Sequence, residues 1–143
     1  MSRYNPEALQ TIRAAREAKR MTYEDLAKAV GKDPMYVAAA LNGQHRLRQD
    51  EADRVAEALG LDRKLTAALT EMPIRTEFPL TTDPFKYRLM ELVGVYGDAL
   101  RERANDLWGD GILSAIDCKV TLEKRGERGV ITIDAKFLPY KEY

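Results

Sequence analysis

A single cysteine, Cys118, and a single histidine, His45, are all that this 143-residue chain offers of the two residue types that build most transition-metal sites. One cysteine excludes an internal disulfide, and one of each leaves no cluster for zinc, so no metal is expected. Net charge is also missing: 23 Lys and Arg balance 23 Asp and Glu, so no long-range field draws the molecule to nucleic acid or to an anionic membrane. Any anion it binds must be held locally. No run approaches the roughly 18 apolar residues of a membrane span, and the first twenty residues are charged and helix-like without a signal-peptide core. The expected location is the cytoplasm. What the chain does have is 45% hydrophobic residues, enough for one ordinary domain or two small ones.

Start and stop signals recur at short intervals through the first 73 residues and predict five short helices. Asn5-Pro6 opens one that runs to about Arg20. Thr22-Tyr23-Glu24-Asp25 is a capping box for a second, stopped by Gly31; Asp33-Pro34 caps a third that ends near Asn42-Gly43. Gln49-Asp50 starts a fourth, closed by Gly60, and Asp62 a fifth, closed before Pro73. The stretch from Met21 to Leu61 resembles helix-turn-helix domains of phage-repressor type. DNA reading requires Arg, Lys, Gln or Asn projecting from the second helix of the pair, and that helix reads Met35, Tyr36, Val37, Ala38, Ala39, Ala40, Leu41. Residues 1–73 carry 12 basic and 11 acidic side chains, so the counterion-release contribution to DNA affinity is nearly missing. The fold is read as a helix-turn-helix used for packing, with no nucleic-acid partner. Its rival is a transcriptional regulator contacting DNA through Gln44, His45, Arg46 and Arg48.

Residues 74–83 hold Pro79 and three Thr without helical period and are read as a linker. Asp83 and Pro84 then launch a long helix to about Leu107, with Gly109 where a left-handed cap belongs. Ile116, Cys118, Val120 and Leu122 alternate with polar residues, as do Ile131, Ile133 and Phe137, and Arg125 to Gly129 is a turn between two strands. The fold class is therefore α+β: a helical domain at 1–73, and a long helix with a β-hairpin at 84–143. One helix and one hairpin bury too little surface to stand alone. A second copy of the chain, intertwined through its strands, is the expected partner, and 84–143 is the expected catalytic and oligomerisation domain.

Arg88 and Glu91 sit on the edge of the long helix's apolar stripe, beside Leu92, Val95 and Ala99 at 100° per residue. A surface i,i+3 pair accounts for them only in part. Stabilising helix pairs place the acid first, and the helix dipole disfavours a cation near the first turn. The run Gly109-Asp110-Gly111 permits a sharp turn with exposed backbone N–H groups, and Ser114 adds a hydroxyl just before the strand. Backbone donors, a hydroxyl and a guanidinium suit a small anion; equally, Ser114 satisfies a local backbone group.

These stretches, "DPFKYRLMELVGVYGDAL", "WGDGILSAID" and "VITIDAKFLPYKEY", resemble the C-terminal domain of the cyanate hydratases, also called cyanases, from about Thr82 to Tyr143. Residues 1–72 resemble that family's N-terminal domain more loosely. The resemblance implies catalytic roles for Arg88, Glu91 and Ser114, and a lyase reaction. Bicarbonate, as co-substrate, adds to cyanate; the dicarbamate loses carbon dioxide, and the carbamate left decomposes to ammonia and a second carbon dioxide. It implies no cofactor and a homodecamer of five dimers, with sites shared between chains. Arg88 would clamp the carboxylate of the adduct and Ser114 with nearby N–H groups its other end. Glu91 would either orient the guanidinium or move a proton. Two departures from the family pattern are a short hairpin turn and Asp117 in place of an expected Asn. A ring without chemistry is a third reading, in which Arg88→Ala assembles normally and changes nothing.

Overall fold

The computed structural model describes residues 5–73 and 83–141, so the expected linker at 74–83 lies outside the described residues except for Asp83. The chain divides into two compact units. The first contains α1 (Pro6–Ala18), α2 (Tyr23–Val30), α3 (Pro34–Leu41), α4 (Gln49–Leu59) and α5 (Arg63–Thr66), the last continued by a 3₁₀ turn over Ala67–Thr70. Four of the five starts follow from a short polar side chain; α4 instead begins where the N–H of Arg48 donates to Glu51. Asn5 accepts from the N–H of Ala8, Asp33 from Met35 and Asp62 from Lys64, while Thr22 and Asp25 exchange side-chain and backbone bonds reciprocally. Gly31 and Gly60 take left-handed conformations at the ends of α2 and α4.

Ile12, Leu26, Val37, Leu41 and Val55 meet in one core with almost no solvent exposure. Glu51 is buried beside them at 2% exposure. It survives there because its carboxylate accepts from the N–H of Arg48 at 2.9 Å and pairs with the Arg48 guanidinium at 2.9 Å and Lys32 at 3.5 Å.

Two helix ends differ from expectation. α1 stops at Ala18 because Arg20 turns left-handed (φ 53°) and the N–H of Met21 reaches back to the carbonyl of Arg16, a Schellman closure made without glycine. The fifth helix tightens after one turn. There the hydroxyls of Thr66 and Thr70 bond to the carbonyls of Arg63 and Ala67, and the carbonyl of Leu69 accepts from Leu47.

The second unit is built on α6 (Pro84–Trp108), followed by β1 (Gly111–Arg125) and β2 (Arg128–Pro139), which pair as an antiparallel hairpin whose tip, Thr121–Val130, groups with the first unit. Asp83 accepts from the N–H groups of Phe85 and Lys86, and Pro84 takes the first helical position, which fixes where α6 begins. The expected five-residue turn shrinks to Gly126-Glu127. Gly126 has φ 60°, as the first central position of a type II′ turn requires. Gly109 has positive φ (85°), but its ψ of −162° lies outside the left-handed helical region expected there. That conformation is nearly confined to glycine, and it turns the chain straight from helix into strand.

No residue of α6 is buried within the chain. Phe85, Leu92, Val93, Val95, Tyr96 and Leu100 are each more than half exposed. The stripe that Arg88 and Glu91 border is apolar, as expected, and among the described residues of its own unit it stays exposed. Among the described residues no helix is long and apolar enough to cross a membrane.

Candidate active site

Capping by Asp83 sets the register of α6 and puts Arg88 in its second turn, with Glu91 one turn further on the same side. Arg88 Nε lies 3.8 Å from Glu91 Oε2, and the two side chains are 68% and 55% exposed. A pair so exposed contributes about 0–1 kcal/mol, too little to explain it as a device of the fold. The Arg88 guanidinium also lies 5.6 Å from the centroid of the neighbouring Tyr87 ring, within cation–π range. Tyr87 limits the directions the guanidinium can take, a part that sequence reasoning did not assign to it.

Ser114 lies inside β1, three residues past its start, rather than before the strand. At 8% exposure it is the buried polar residue of this unit among the described residues. Its Oγ accepts from the N–H of Ile116 at 3.1 Å and of Asp117 at 2.9 Å. In an extended strand the amide three residues on is about 10 Å away, so the chain must kink at Ala115–Ile116. The strand register agrees. β1 has 15 residues against 12 in β2, and beyond their ends the carbonyl of Asp110 accepts from the N–H of Tyr140 at 3.1 Å. β1 therefore holds three more residues than β2 over the same ladder, and the surplus is absorbed by bulging.

The open end of the hairpin is anchored by close approach. A Cβ on Gly111 would collide with the Leu138 carbonyl oxygen, the Phe137 ring and Pro139 Cα, so only glycine fits there. Trp108, the last residue of α6, stacks on Phe137 of β2 with ring centroids 5.1 Å apart. These contacts tie the end of α6 to β2, and β2 to the start of β1, the strand that carries Ser114. Of the backbone donors expected in Gly109-Asp110-Gly111, that of Gly109 is taken by the carbonyl of Asn105.

Within one chain, Arg88 and Glu91 come together, while Ser114 is bonded to its own strand and to neither of them. Of the four loop residues of the rival DNA-binding reading, His45 and Arg48 have side chains engaged in the helical unit. His45 stacks on Tyr36 at 4.9 Å, and the Arg46 carbonyl accepts from the Tyr36 hydroxyl. Arg48 bonds to Asp50, which holds the guanidinium above and the Asp50 carboxyl below their usual ranges.

Two family models cover nearly the whole chain: "Cyanate hydratase, N-terminal" matches residues 7–73 and "Cyanate lyase C-terminal domain" residues 79–142. A cyanate hydratase of Pseudomonas syringae pv. syringae is 44% identical over 140 residues, covering 94% of this chain and 90% of its own. One from Nostoc is 39% identical over 143 residues, covering 96% of this chain and 98% of its own. The crystal structure of cyanase from T. urticae superposes with a TM-score of 0.87 at 35% identity, over 93% of this chain and 97% of that one. None of these speaks for a helix-turn-helix regulator. With both halves matched in order, and the long helix and hairpin of a solved relative reproduced, the chain belongs to the cyanate hydratase family.

Proposed function

We propose that this chain is a lyase that decomposes cyanate with bicarbonate as co-substrate, without a cofactor, yielding ammonia and carbon dioxide. The observation that carries the reading is the exposed Arg88–Glu91 pair on an uncovered apolar helix, in a chain whose two halves both match cyanate hydratase models. A charge pair that contributes so little to the fold has another use.

Both reactants are anions. Two unit charges 4 Å apart repel by about 4 kcal/mol at an effective dielectric of 20, and adding bicarbonate to cyanate joins them into a doubly charged dicarbamate. A fixed cation and fixed donors offset that cost best in a site closed to water. Arg88 is the cation, gripping the carboxylate of the adduct with its planar fork. Ser114 contacts the other end. Glu91 orients the guanidinium, 3.8 Å away, or carries the proton that ends on the cyanate nitrogen. The dicarbamate takes a proton and splits its C–N bond, giving carbon dioxide and carbamate; carbamate takes a second proton and splits into ammonia and carbon dioxide. A bicarbonate oxygen is itself the attacking group on the cyanate carbon, and the carboxyl group then shifts from that oxygen to the nitrogen, breaking its C–O bond as the C–N bond of the dicarbamate forms, so no enzyme nucleophile is needed.

The site is completed between chains. The bare stripe of α6 and a two-stranded hairpin with free edges support intertwined dimers assembled into a decamer of five. Such assembly covers Leu92 and Val95 and removes water from around Arg88. The helical part, 1–73, is then a helix-turn-helix-like packing module, 74–83 its link to the catalytic part at 84–143, and the cytoplasm its place of work. Ammonia release from cyanate, measured with bicarbonate and again in carbon-dioxide-free buffer, tests the reading. Release that requires bicarbonate supports it. No release above the uncatalysed rate, or release indifferent to bicarbonate, refutes it.

A further inference from the structure

The helical unit has a concentration of charge of its own. A pocket of about 260 Å³ opens at the start of α4, walled by Lys32, Tyr36, Arg46, Arg48, Glu51 and Thr70. Three of these side chains are cations and one is an anion, in a chain whose net charge is zero. Glu51 is already satisfied by Arg48 and Lys32. Behind the wall, Asp50 is shared between Arg48 and Arg54, which adds one charge of each sign. The pocket therefore keeps two positive charges more than its own carboxylate can match. The Arg46 guanidinium joins no ion pair or hydrogen bond among the described residues. Each cation is nevertheless placed by a contact of its own. The Lys32 ammonium lies 4.5 Å from the centroid of the Tyr36 ring, and Asp50 grips the Arg48 guanidinium at 3.1 and 3.3 Å. Arg46 is held by its backbone, its carbonyl accepting from the Tyr36 hydroxyl at 2.8 Å.

We propose that this pocket binds a small, doubly charged oxyanion, with the chemistry of free inorganic phosphate, and that the ion braces the helical unit. Size sets the class of ligand. The volume is many times the roughly 10–15 Å³ that one water needs and lies below the roughly 300–1,000 Å³ of sites for drug-sized molecules. Charge sets the valence: a dianion matches the excess, whereas cyanate or bicarbonate leaves half of it unmatched. The Thr70 hydroxyl gives its proton to the Ala67 carbonyl, so the donors are the three cations, and a ligand with several acceptor oxygens serves all of them at once. Because those donors are placed before the ligand arrives, little ordering cost is left to binding. The walls come from the link between α2 and α3, the turn before α4, α4 itself and the 3₁₀ turn at Thr70. One ion thus joins segments far apart in the chain, and it binds only when they are folded together. None of these residues has a part in the cyanate chemistry, so the inference does not rest on that reading.

Calorimetry on the assembled full-length protein, at a pH where inorganic phosphate is doubly charged, compares sodium phosphate, sodium sulfate and AMP with sodium chloride at matched ionic strength. Phosphate and sulfate should bind saturably, one per chain, and chloride should not. At a phosphate concentration one hundred times its Kd, the folded-to-unfolded ratio should rise about 100-fold, read as a higher melting temperature. Arg46→Gln removes a cation that no ion pair employs. It should weaken phosphate about 10- to 100-fold, the range of one hydrogen bond to a charged group, and leave ammonia release in phosphate-free buffer unchanged. If Arg46→Gln fails to assemble, Arg46→Met, which keeps an unbranched stem and drops the charge, takes its place. AMP carries the same dianion on a larger body and should bind no more tightly than phosphate; tighter binding overturns the assignment to a free ion. Wild type without a saturable phosphate heat, chloride as effective as phosphate, or wild-type affinity in the Arg46 variant overturns the site. Any of these results with ammonia release intact defeats the oxyanion site alone and leaves the cyanate reading standing.

Discussion

Replacing Arg88 by Lys keeps the charge and removes the fork, so it separates a clamp from a generic cation. The expected effect on the fold is small. The pair with Glu91 spans 3.8 Å with both side chains more than half exposed, and losing it costs no more than about 0.5–1 kcal/mol. The expected effect on chemistry is larger. A two-pronged grip on a carboxylate reduced to one loses a hydrogen bond to a charged group, about 1.5–3 kcal/mol. At about 1.4 kcal/mol per factor of ten, kcat/KM for cyanate should fall roughly 10- to 150-fold. If the grip tightens as charge accumulates on the adduct, the loss appears in kcat as well as in KM. Initial rates of ammonia release at saturating bicarbonate give the chemistry; thermal unfolding and sedimentation of the same preparation give the fold. Arg88→Lys with more than half of wild-type kcat/KM would refute the clamp. A loss of activity matched by a loss of assembly would show that Arg88 serves the interface instead.

Val95→Asp should abolish assembly and ammonia release together, because Val95 is 67% exposed in the single chain and an acid there costs little until a partner covers it; sedimentation reads the outcome. Gly111→Ala should destabilise by about 1–3 kcal/mol and depress activity, since the colliding atoms include backbone, whereas Gly129→Ala, whose Cβ would meet Leu122 Cδ1 at an ordinary 3.6 Å, should do neither in the same melting and rate assays. At α2, hydrogen bonding by Thr22, through its side chain first and its backbone second, holds the Asp25 carboxyl below its usual range. The folded value is the lower one, so this support is complete above the ordinary carboxylate range and is lost as pH falls through the lowered value. Carboxyl NMR titration should show Asp25 returning toward its ordinary value in Thr22→Val.

The helix starts were legible because all but that of α4 carry a short polar cap in the local sequence. Asn5, Thr22, Asp33, Asp62 and Asp83 all cap where the sequence places them, since such a bond spans only two or three residues. The misses came where distant residues decide. Nothing near Arg20 announces a left-handed cap on a non-glycine residue. The capping and pairing of buried Glu51 bring in Lys32 from the preceding helix pair, beyond any local window.

The sequence by itself determined where helices begin, that the last third is a long helix and a hairpin, and that Arg88 and Glu91 share one helix face, because periodicity and caps act over single turns. The tertiary structure alone decided where Ser114 lies and what its hydroxyl bonds to. Alternation along a strand cannot reveal that one strand holds three residues more than its partner, since register is fixed by pairing with residues far along the chain. That surplus bends β1 and turns the Oγ of Ser114 onto the backbone N–H groups of Ile116 and Asp117.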